Sequence, residues 1–440
     1  MPVPLSIGLI IVSIGLILPV KYLLPVLIAL SSLRSVVEPT IQWSSSYIRF
    51  GFGSINFIEL FVLFVLIKLY LINGFKVMPS RARNIFVILF ICFFTHIIVQ
   101  LFNDEITAKV IISSIRTYFL FVIISEVIIY IRLYGHKYLF FAIFVNFTIY
   151  LATAIMKVME YGNPLFLHNP YIGFGGGFII LYVYQWYEKR KTLSTTIVFF
   201  LTMTLCTIIP ILGAGRGAMI CIIATYIAFY FYYRKQAMNK RIALFFMMSF
   251  IMLVGVVSFI ILSPKYFFTH LGSSNITNLL QQTLEGDENT EFRFVRWQDG
   301  LETFTKSPIL GTEETGYDTG IWVYHNVFLT YLVKGGLLIM LPLGYLYLSY
   351  LFRFVRLLFK WRYFLFFFGG SLIFQLIIMY MTNTPGAAWF RSMPHVFLGI
   401  SIYFIEFSHL PLSQHESGLL THSKTQNTPV MASNELPNAG

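Results

Sequence analysis

The chain is poor in charge and in acidic residues. Of its 440 residues, 11% are charged and only 19 are Asp or Glu, whereas 57% are hydrophobic. A soluble globular chain has about 25% charged residues, so this composition excludes a soluble protein. The apolar runs are ~17–25 residues long, enough to cross a bilayer as helices. No alternation of apolar and polar residues points to an outer-membrane barrel.

Other patterns that are missing from the sequence exclude further classes of protein. The chain has only three cysteines, Cys92, Cys206 and Cys221, which lie inside apolar runs and are not spaced as metal ligands or as a disulfide framework. The N-terminus lacks a basic n-region and a small-residue cleavage site, so we expect a retained segment rather than a signal peptide. No internal repeat supports a transporter built from inverted repeats. The net charge of +12 fits basic cytoplasmic loops and does not indicate binding to nucleic acid.

From residue 57 onward the apolar pattern predicts about eleven spans. They lie at about 57–73, 84–102, 108–131, 137–158, 171–187, 194–212, 217–233, 242–263, 325–352, 363–382 and 391–408. One crossing within residues 1–34 gives about twelve spans with both termini inside, which we favour. Two crossings would place the N-terminus outside.

The connections between spans alternate in charge. The basic set contains Lys76, Arg81, Arg83, Arg132, Lys137, Lys189, Arg190, Lys191, Arg234, Lys235, Lys240, Arg241, Arg353, Arg356, Lys360 and Arg362. The positive-inside rule places this set in the cytoplasm. We therefore predict an all-α, polytopic integral membrane protein in four parts. About nine helices lie in 1–263, a large outer loop in 264–324, three helices in 325–408 and a disordered cytoplasmic tail in 409–440.

This topology brings five arginines and one histidine to the outer face. They are Arg116, Arg216, Arg293, Arg296, His325 and Arg391. Arg116 lies within a span, where an ionised residue usually faces the protein interior, although it is near enough to the outer end to reach lipid headgroups. His96 also lies in an apolar run, and we expect a packed, hydrogen-bonded histidine there.

The motif "GAGRGAM" places Arg216 between small residues at the start of a predicted helix. A helix N-terminus favours an anion, and arginine offers bidentate donors to phosphate oxygens. The alternative is that Arg216 contacts outer headgroups while the glycines aid helix packing. "GFGGGF", Gly173–Phe178, opens another span and indicates tight packing or a slot for a lipid chain.

A short helix is predicted at about 291–305, with an apolar stripe of Phe294, Trp297, Leu301 and Phe304. Arg293 and Arg296 are three residues apart on a neighbouring face, directed into a cavity or at lipid phosphates.

At the end of the loop, His325 and Asn326 open the next helix at its predicted outer mouth. Neighbouring arginines would keep the imidazole of His325 neutral, as a general base requires. The alternative is an interfacial histidine bonded to the loop. Gly335 and Gly336 would lie about 15 Å deeper along this helix and permit close contact or admit a lipid chain.

Together these motifs resemble the O-antigen ligase/O-antigen polymerase superfamily. They occur in order: the small-residue Arg216 motif, a long outer loop with Arg-x-x-Arg-Trp and Pro-Ile-Leu-Gly, then His-Asn and paired glycines. The resemblance implies about twelve helices and one large periplasmic loop. It also implies a multi-pass protein of the bacterial inner membrane with a periplasmic active site. In the ligase pattern Gly, Thr or Tyr follows the helix glycine by three residues, whereas this chain has Ile339.

The resemblance further implies inverting, metal-independent glycosyl transfer from an undecaprenyl-diphosphate-linked glycan. His325 would be the base, and Arg216, Arg293, Arg296 and Arg116 would bind the diphosphate. Arg391 and Asn326 are additional candidates. No cofactor or metal is expected. The other expected partners are a glycan or lipid A–core acceptor, membrane lipids and a chain-length regulator protein.

Three functions compete. A polymerase joins lipid-linked repeat units, a ligase moves the finished glycan to lipid A–core or another acceptor, and a transporter moves the lipid-linked glycan across the membrane. A transporter predicts charged residues along the whole path, whereas here they collect at the outer face. We therefore expect an enzyme, and we favour the polymerase over the ligase.

Overall fold

The structure, a computed structural model, describes most of the predicted helices. The described residues are 13, 17–31, 47–50, 53–72, 74–102, 111, 114, 115, 118, 119, 121–161, 170–190, 192–212, 222, 223, 225, 226, 288–312, 326–357, 372, 373, 375–377, 380, 392–410 and 415.

Helices dominate this part of the chain, which confirms the predicted helical class. In chain order they are α1 Val20–Ser31, α2 Phe57–Leu71, α3 Gly74–Val77, α4 Ser80–Leu101, α5 Val122–Tyr134, α6 Lys137–Tyr161, α7 Pro170–Arg190, α8 Leu193–Leu212, α9 Glu288–Lys306, α10 Val327–Leu357 and α11 Ser392–Glu406. The described residues also contain an antiparallel hairpin of β1, Tyr47–Phe50, and β2, Gly53–Asn56, with Tyr47 opposite Asn56.

Three helices in the described ranges are long and apolar enough to cross a membrane: Ser80–Leu101, Lys137–Met156 and Val327–Arg356. With the composition, they make the chain an integral membrane protein. The predicted total of about twelve spans includes segments outside the described residues, such as 242–263, and stays a prediction.

The helices pack in pairs around an aromatic and aliphatic core. The pairs include α7 with α8, α5 with α11, α1 with α6, α4 with α10, and α9 with α10. Around α7, a Cβ on Gly175 would overlap the ring of Phe147 in α6, and one on Gly177 would overlap the hydroxyl of Thr225. The "GFGGGF" segment therefore serves tight packing, as one of its two interpretations predicted.

An ion pair, a hydrogen bond and a cation–π contact connect the ends of three helices. Arg353 of α10 forms an ion pair with Glu406 of α11, and the hydroxyl of Tyr350 donates to the same carboxylate at 3.0 Å. The guanidinium of Arg132, in α5, lies 4.7 Å from the ring centroid of Phe407, which follows α11 directly. Arg132 and Arg353 belong to two separate basic connections, and they meet at one end of the bundle.

His415, nine residues after α11, docks at this same end. The backbone carbonyl of His415 accepts hydrogen bonds from the backbone N–H and from Nδ1 of His136, at 3.1 and 2.7 Å. Its own Nδ1 lies 2.9 Å from the hydroxyl of Tyr403. His415, inside the predicted tail 409–440, is therefore buried against the bundle. The disorder predicted for the tail stays a prediction beyond this point, since residues 416–440 lie outside the described residues.

Acidification is expected to release His415 from this position. Burial, together with the nearby His136, Arg132 and His409, lowers the pKa of His415 to about 4. The undocked ring, with an ordinary pKa near 6.5, takes up a proton that the docked ring resists, so docking weakens as the pH falls from about 6.5 toward 4. The protection factor of the peptide around His415, which is the intrinsic exchange rate divided by the measured rate, should therefore fall as the pH is lowered over this range. His415→Gln should flatten that dependence, and an unchanged slope in this variant would contradict the assignment.

Candidate functional site

The structure describes two of the predicted site residues with their side chains, Arg296 and Asn326, and the backbone of Arg293. The other four lie outside the described residues: His325, Arg216, Arg116 and Arg391. The six residues predicted to converge are therefore not seen together. The described part shows how the elements around them are held.

Arg293 and Arg296 lie on α9, which extends a little beyond the predicted 291–305 at both ends. The helix packs against α10, and the side chain of Arg296 is half-buried. Leu301, in the predicted apolar stripe, is 52% exposed, so the stripe is only partly covered by described residues. The structure thus confirms the predicted helix and shows it held against the bundle.

A tight turn follows α9 and enters the bundle. The N–H of Gly311 donates to the carbonyl of Ser307 at 2.9 Å, and Gly311 has φ +77°. A Cβ at Gly311 would overlap the backbone carbonyl of Lys334 in α10. Pro-Ile-Leu-Gly is thus the segment that brings the loop's backbone against a membrane helix, and only glycine fits at its last position.

The turn meets α10 where that helix is broken. Gly336 has φ 57° and ψ −161°, so α10 consists of a first arm, Val327–Gly335, and a second arm, Leu337–Leu357. The amides of Leu337 and Leu338, which open the second arm, donate to the carbonyls of Pro308 and Ile309 at 2.9 and 3.0 Å. These two amides could find no partner within their own arm, so the turn supplies it.

At the end of the first arm, a backbone carbonyl is paired by the turn in the same way. The carbonyl of Val333 accepts from the amide of Thr312 at 2.8 Å. A Cβ at Gly336 would overlap the carbonyl oxygen of Ile309. We call this joint the turn–break junction, meaning residues 307–312 together with residues 333–338.

The two arms of α10 fold back on each other. The rings of Phe328 and Tyr347 lie 5.5 Å apart, and both contact Tyr380, at 5.6 and 5.7 Å. In a straight helix, Phe328 and Tyr347 would be separated by about 28 Å. The arms must therefore form an acute angle with Gly336 at the vertex.

This geometry corrects the expectation of one continuous helix through the paired glycines. Gly335 ends the first arm about 14 Å from Asn326, close to the predicted distance, but Gly336 forms the vertex at which the second arm turns back. A hydropathy pattern cannot detect this, because both arms are apolar. The second arm alone, 21 residues long, spans about 31 Å. The first arm runs beside it, so Asn326 lies near the level of Tyr347 rather than at the far end of a continuous span.

Asn326 caps the first arm. Its Oδ1 accepts from the amide of Leu329 at 3.1 Å, and its carbonyl accepts from the amide of Thr330 at 3.0 Å. This is the N-cap geometry that asparagine favours. The side chain assigned as a candidate site residue therefore has a structural task next to His325.

His96 contacts the turn–break junction, and the sequence did not reveal this contact. It is buried in α4, with Nε2 2.9 Å from the carbonyl of Leu310 and Nδ1 2.8 Å from the hydroxyl of Tyr118. The expectation of a packed, hydrogen-bonded histidine is confirmed. Its partner, however, lies 214 residues away in the loop's turn, which no local pattern signals.

Within the described ranges, no group of three or more His, Cys, Asp or Glu side chains is arranged to hold a metal ion. The acidic residues Asp287, Glu313, Glu314 and Asp318 of the outer loop lie outside those ranges.

Residues 198–343 match the family model described as O-antigen ligase. The matched region contains most of α8, all of α9, the turn–break junction and the first arm of α10. The resemblance to the O-antigen ligase/polymerase superfamily is therefore confirmed over this part of the chain. The comparison with curated proteins gives no match.

Replacing Gly336 with alanine should lower the stability of the folded protein, because alanine is strained at positive φ and its Cβ would overlap the carbonyl of Ile309. The backbone strain alone costs about 1–3 kcal/mol. Gly344→Ala is the matched control, since it lies on the same helix with nothing within 4 Å of the added Cβ. Thermal unfolding of the purified protein in detergent should show a lower midpoint for Gly336→Ala only. Equal midpoints for the two variants would contradict the junction.

Asn326→Ala should remove the N-cap of the first arm and lower the free energy of unfolding by about 1 kcal/mol. Asn326→Ser keeps a capping oxygen and should unfold at nearly the wild-type temperature. If the serine variant were as unstable as the alanine variant, the hydrogen bond from Leu329 would not be what Asn326 contributes. The serine variant also separates stability from activity. It keeps the cap but lacks the amide group, so a loss of activity in this variant would be due to the amide and not to unfolding.

Proposed function

Because residues 198–343 of this chain belong to the O-antigen ligase family, we propose that the protein is a glycosyltransferase that polymerises lipid-linked oligosaccharide units at the outer face of the bacterial inner membrane. Members of this family are enzymes that act on lipid-linked glycans. The observation that carries the proposal is the position of the match. It covers the loop helix with its arginines, the turn–break junction and the start of α10.

The chemistry follows from the residue types. An acceptor hydroxyl attacks the anomeric carbon of the donor, its proton passes to His325, and the bond from that carbon to the diphosphate oxygen breaks with inversion. Charge grows on the leaving diphosphate as this bond breaks. Arg216, Arg293, Arg296 and Arg116 are proposed to stabilise that charge, which lowers the barrier more than binding the ground state would.

The junction supports this assignment by fixing two elements relative to each other. The turn that ends α9 is bonded to both arms of α10, so α9 and the arm that follows His325 are held in one arrangement. Preorganised donors stabilise a transition state without having to move during the reaction. Because the tip of the first arm lies beside the second arm, we place the base below the rim of the bundle, where water is less abundant.

The sidedness of the site is also part of the proposal. The ends of α5, α10 and α11 that carry Arg132, Arg353 and Glu406 meet at one end of the bundle, and the positive-inside rule makes that end cytoplasmic. The junction lies toward the opposite end of the second arm. The loop that reaches it is then periplasmic, as is the active site.

A ligase that transfers the glycan to lipid A–core or another acceptor is the second candidate, favoured by the description of the family model. Ile339, the position that departs from the ligase pattern, is fully buried against Gly335. Its side chain fills the angle between the arms. The departure therefore changes the packing at the vertex and removes no reacting group, so it is weak evidence against a ligase.

A strain lacking the gene, complemented with variants, tests the proposal. Wild type and Gly344→Ala should restore a ladder of surface glycan on a gel. His325→Ala and Arg216→Ala, checked for normal levels in the membrane, should give single units on the lipid core. Long chains that stay on undecaprenyl diphosphate would identify a ligase instead. A normal ladder from both variants would contradict the assigned site and return attention to transport of the lipid-linked glycan.

A further inference from the structure

The imidazole of His96 is bonded at both edges. A carbonyl oxygen can only accept, so Nε2 carries the proton that is donated to Leu310. In the neutral ring, Nδ1 is then the acceptor for the hydroxyl of Tyr118. The Tyr118 ring is itself stacked on Phe93, with centroids 4.1 Å apart and planes 5° from parallel. The tautomer and the orientation of the His96 ring are therefore both determined.

The ring of His96 also contacts the turn–break junction. It bonds the carbonyl of Leu310 in the turn, and the next residue of the turn, Gly311, packs directly against the carbonyl of Lys334 at the end of the first arm. Helices leave their last carbonyls without partners, and inside a membrane each such group costs several kcal/mol if it stays unpaired. His96 thus pairs a carbonyl of the turn at the point where the turn packs against the first arm.

The position of His96 in the chain makes this contact more than local packing. It lies on α4, outside the region that matches the family model. Its side chain is 2% exposed on a strongly apolar helix, where a polar ring is costly unless hydrogen-bonded. Tyr118, its partner, is 22 residues further along the chain and also buried. Two parts of the N-terminal half therefore hold a junction that belongs to the family domain.

We propose that His96 is a positioning residue for the glycosyl transfer: through Leu310, in the turn that is bonded to both arms of α10, it sets the placement of α9 and of the first arm, and hence of the arginines relative to His325. It touches no substrate. This inference rests on the proposed function, and it adds a requirement that the family region alone does not show. Small misplacements of reacting groups can lower a rate by about 100-fold.

Two substitutions separate the hydrogen bond from the volume of the ring. His96→Gln places an amide N–H near the position of Nε2 and keeps the donor to Leu310. His96→Met has similar bulk and no donor. Tyr118→Phe is the third variant. It keeps the His96 ring and removes the hydroxyl that is bonded to Nδ1. It therefore tests the inference even if His96→Met does not fold.

The full-length protein, purified and placed in lipid nanodiscs, allows two readouts. Hydrogen exchange reports on the amides of Thr312, Leu337 and Leu338, which pair the turn with the break. Turnover is measured with an undecaprenyl-diphosphate-linked oligosaccharide. We expect His96→Met to speed exchange at these amides at least tenfold and to lower kcat about 10- to 100-fold with KM changed less than threefold. His96→Gln should recover most of both, and Tyr118→Phe should fall between them.

Unchanged exchange at these amides in His96→Met and Tyr118→Phe would overturn the inference. So would faster exchange with unchanged kcat, because the junction would then not position the reacting groups. Failure of the proposed function looks different: the wild-type protein would release no undecaprenyl diphosphate from the donor. In that case the exchange rates alone would still show whether His96 holds the junction.

Discussion

The structure depends on one constraint, that backbone amides and carbonyls inside a membrane must be paired. A helix broken at Gly336 exposes such groups on both sides of the break. They are paired by a loop segment, residues 308–312, whose own amide and carbonyls point at the broken ends. Irregular backbone at membrane depth is tolerated only where protein covers it or water reaches it. The break and the turn therefore depend on each other, and neither would be stable alone.

This mutual dependence explains the shape of the proposed site. Backbone hydrogen bonds attach the loop to the bundle, and α9, which carries the arginines, ends directly at the turn–break junction. The arm that follows His325 ends at the same junction from the other side. A protein that must leave room for a bulky lipid-linked glycan can in this way keep a long loop and still hold two of its elements in a fixed relation. The cost is a set of positions, Gly311 and Gly336 among them, that accept no side chain.

Much of the fold could be predicted from the sequence, because apolar runs mark membrane helices directly. The start of α10 at Asn326 and the helix carrying Arg293 were placed within a few residues. The fold-back of α10 could not be predicted, since a continuous apolar run looks the same whether the helix is straight or reversed at a glycine. The paired glycines signalled close contact but not its partner.

The candidate site was predictable only as a set of residue types on one side of a membrane. Arg216 and His325 stand out in the sequence through their motifs alone. His96 shows the opposite situation. It was visible as a histidine in an apolar helix, but its function depends on a carbonyl that the loop brings from the other half of the chain. Long-range backbone contacts of this kind have no sequence pattern.

The most direct test of this account is the distance between the two arms of α10, measured by double electron–electron resonance in nanodiscs. Spin labels would be placed at Phe328→Cys and Leu348→Cys after the three native cysteines have been replaced. Folded-back arms predict a distance below about 20 Å, whereas a straight helix predicts about 30 Å. A control pair within the second arm, Leu337→Cys and Phe352→Cys, should give about 22 Å in either case. A distance near 30 Å for the first pair, with the control pair as expected, would contradict the account.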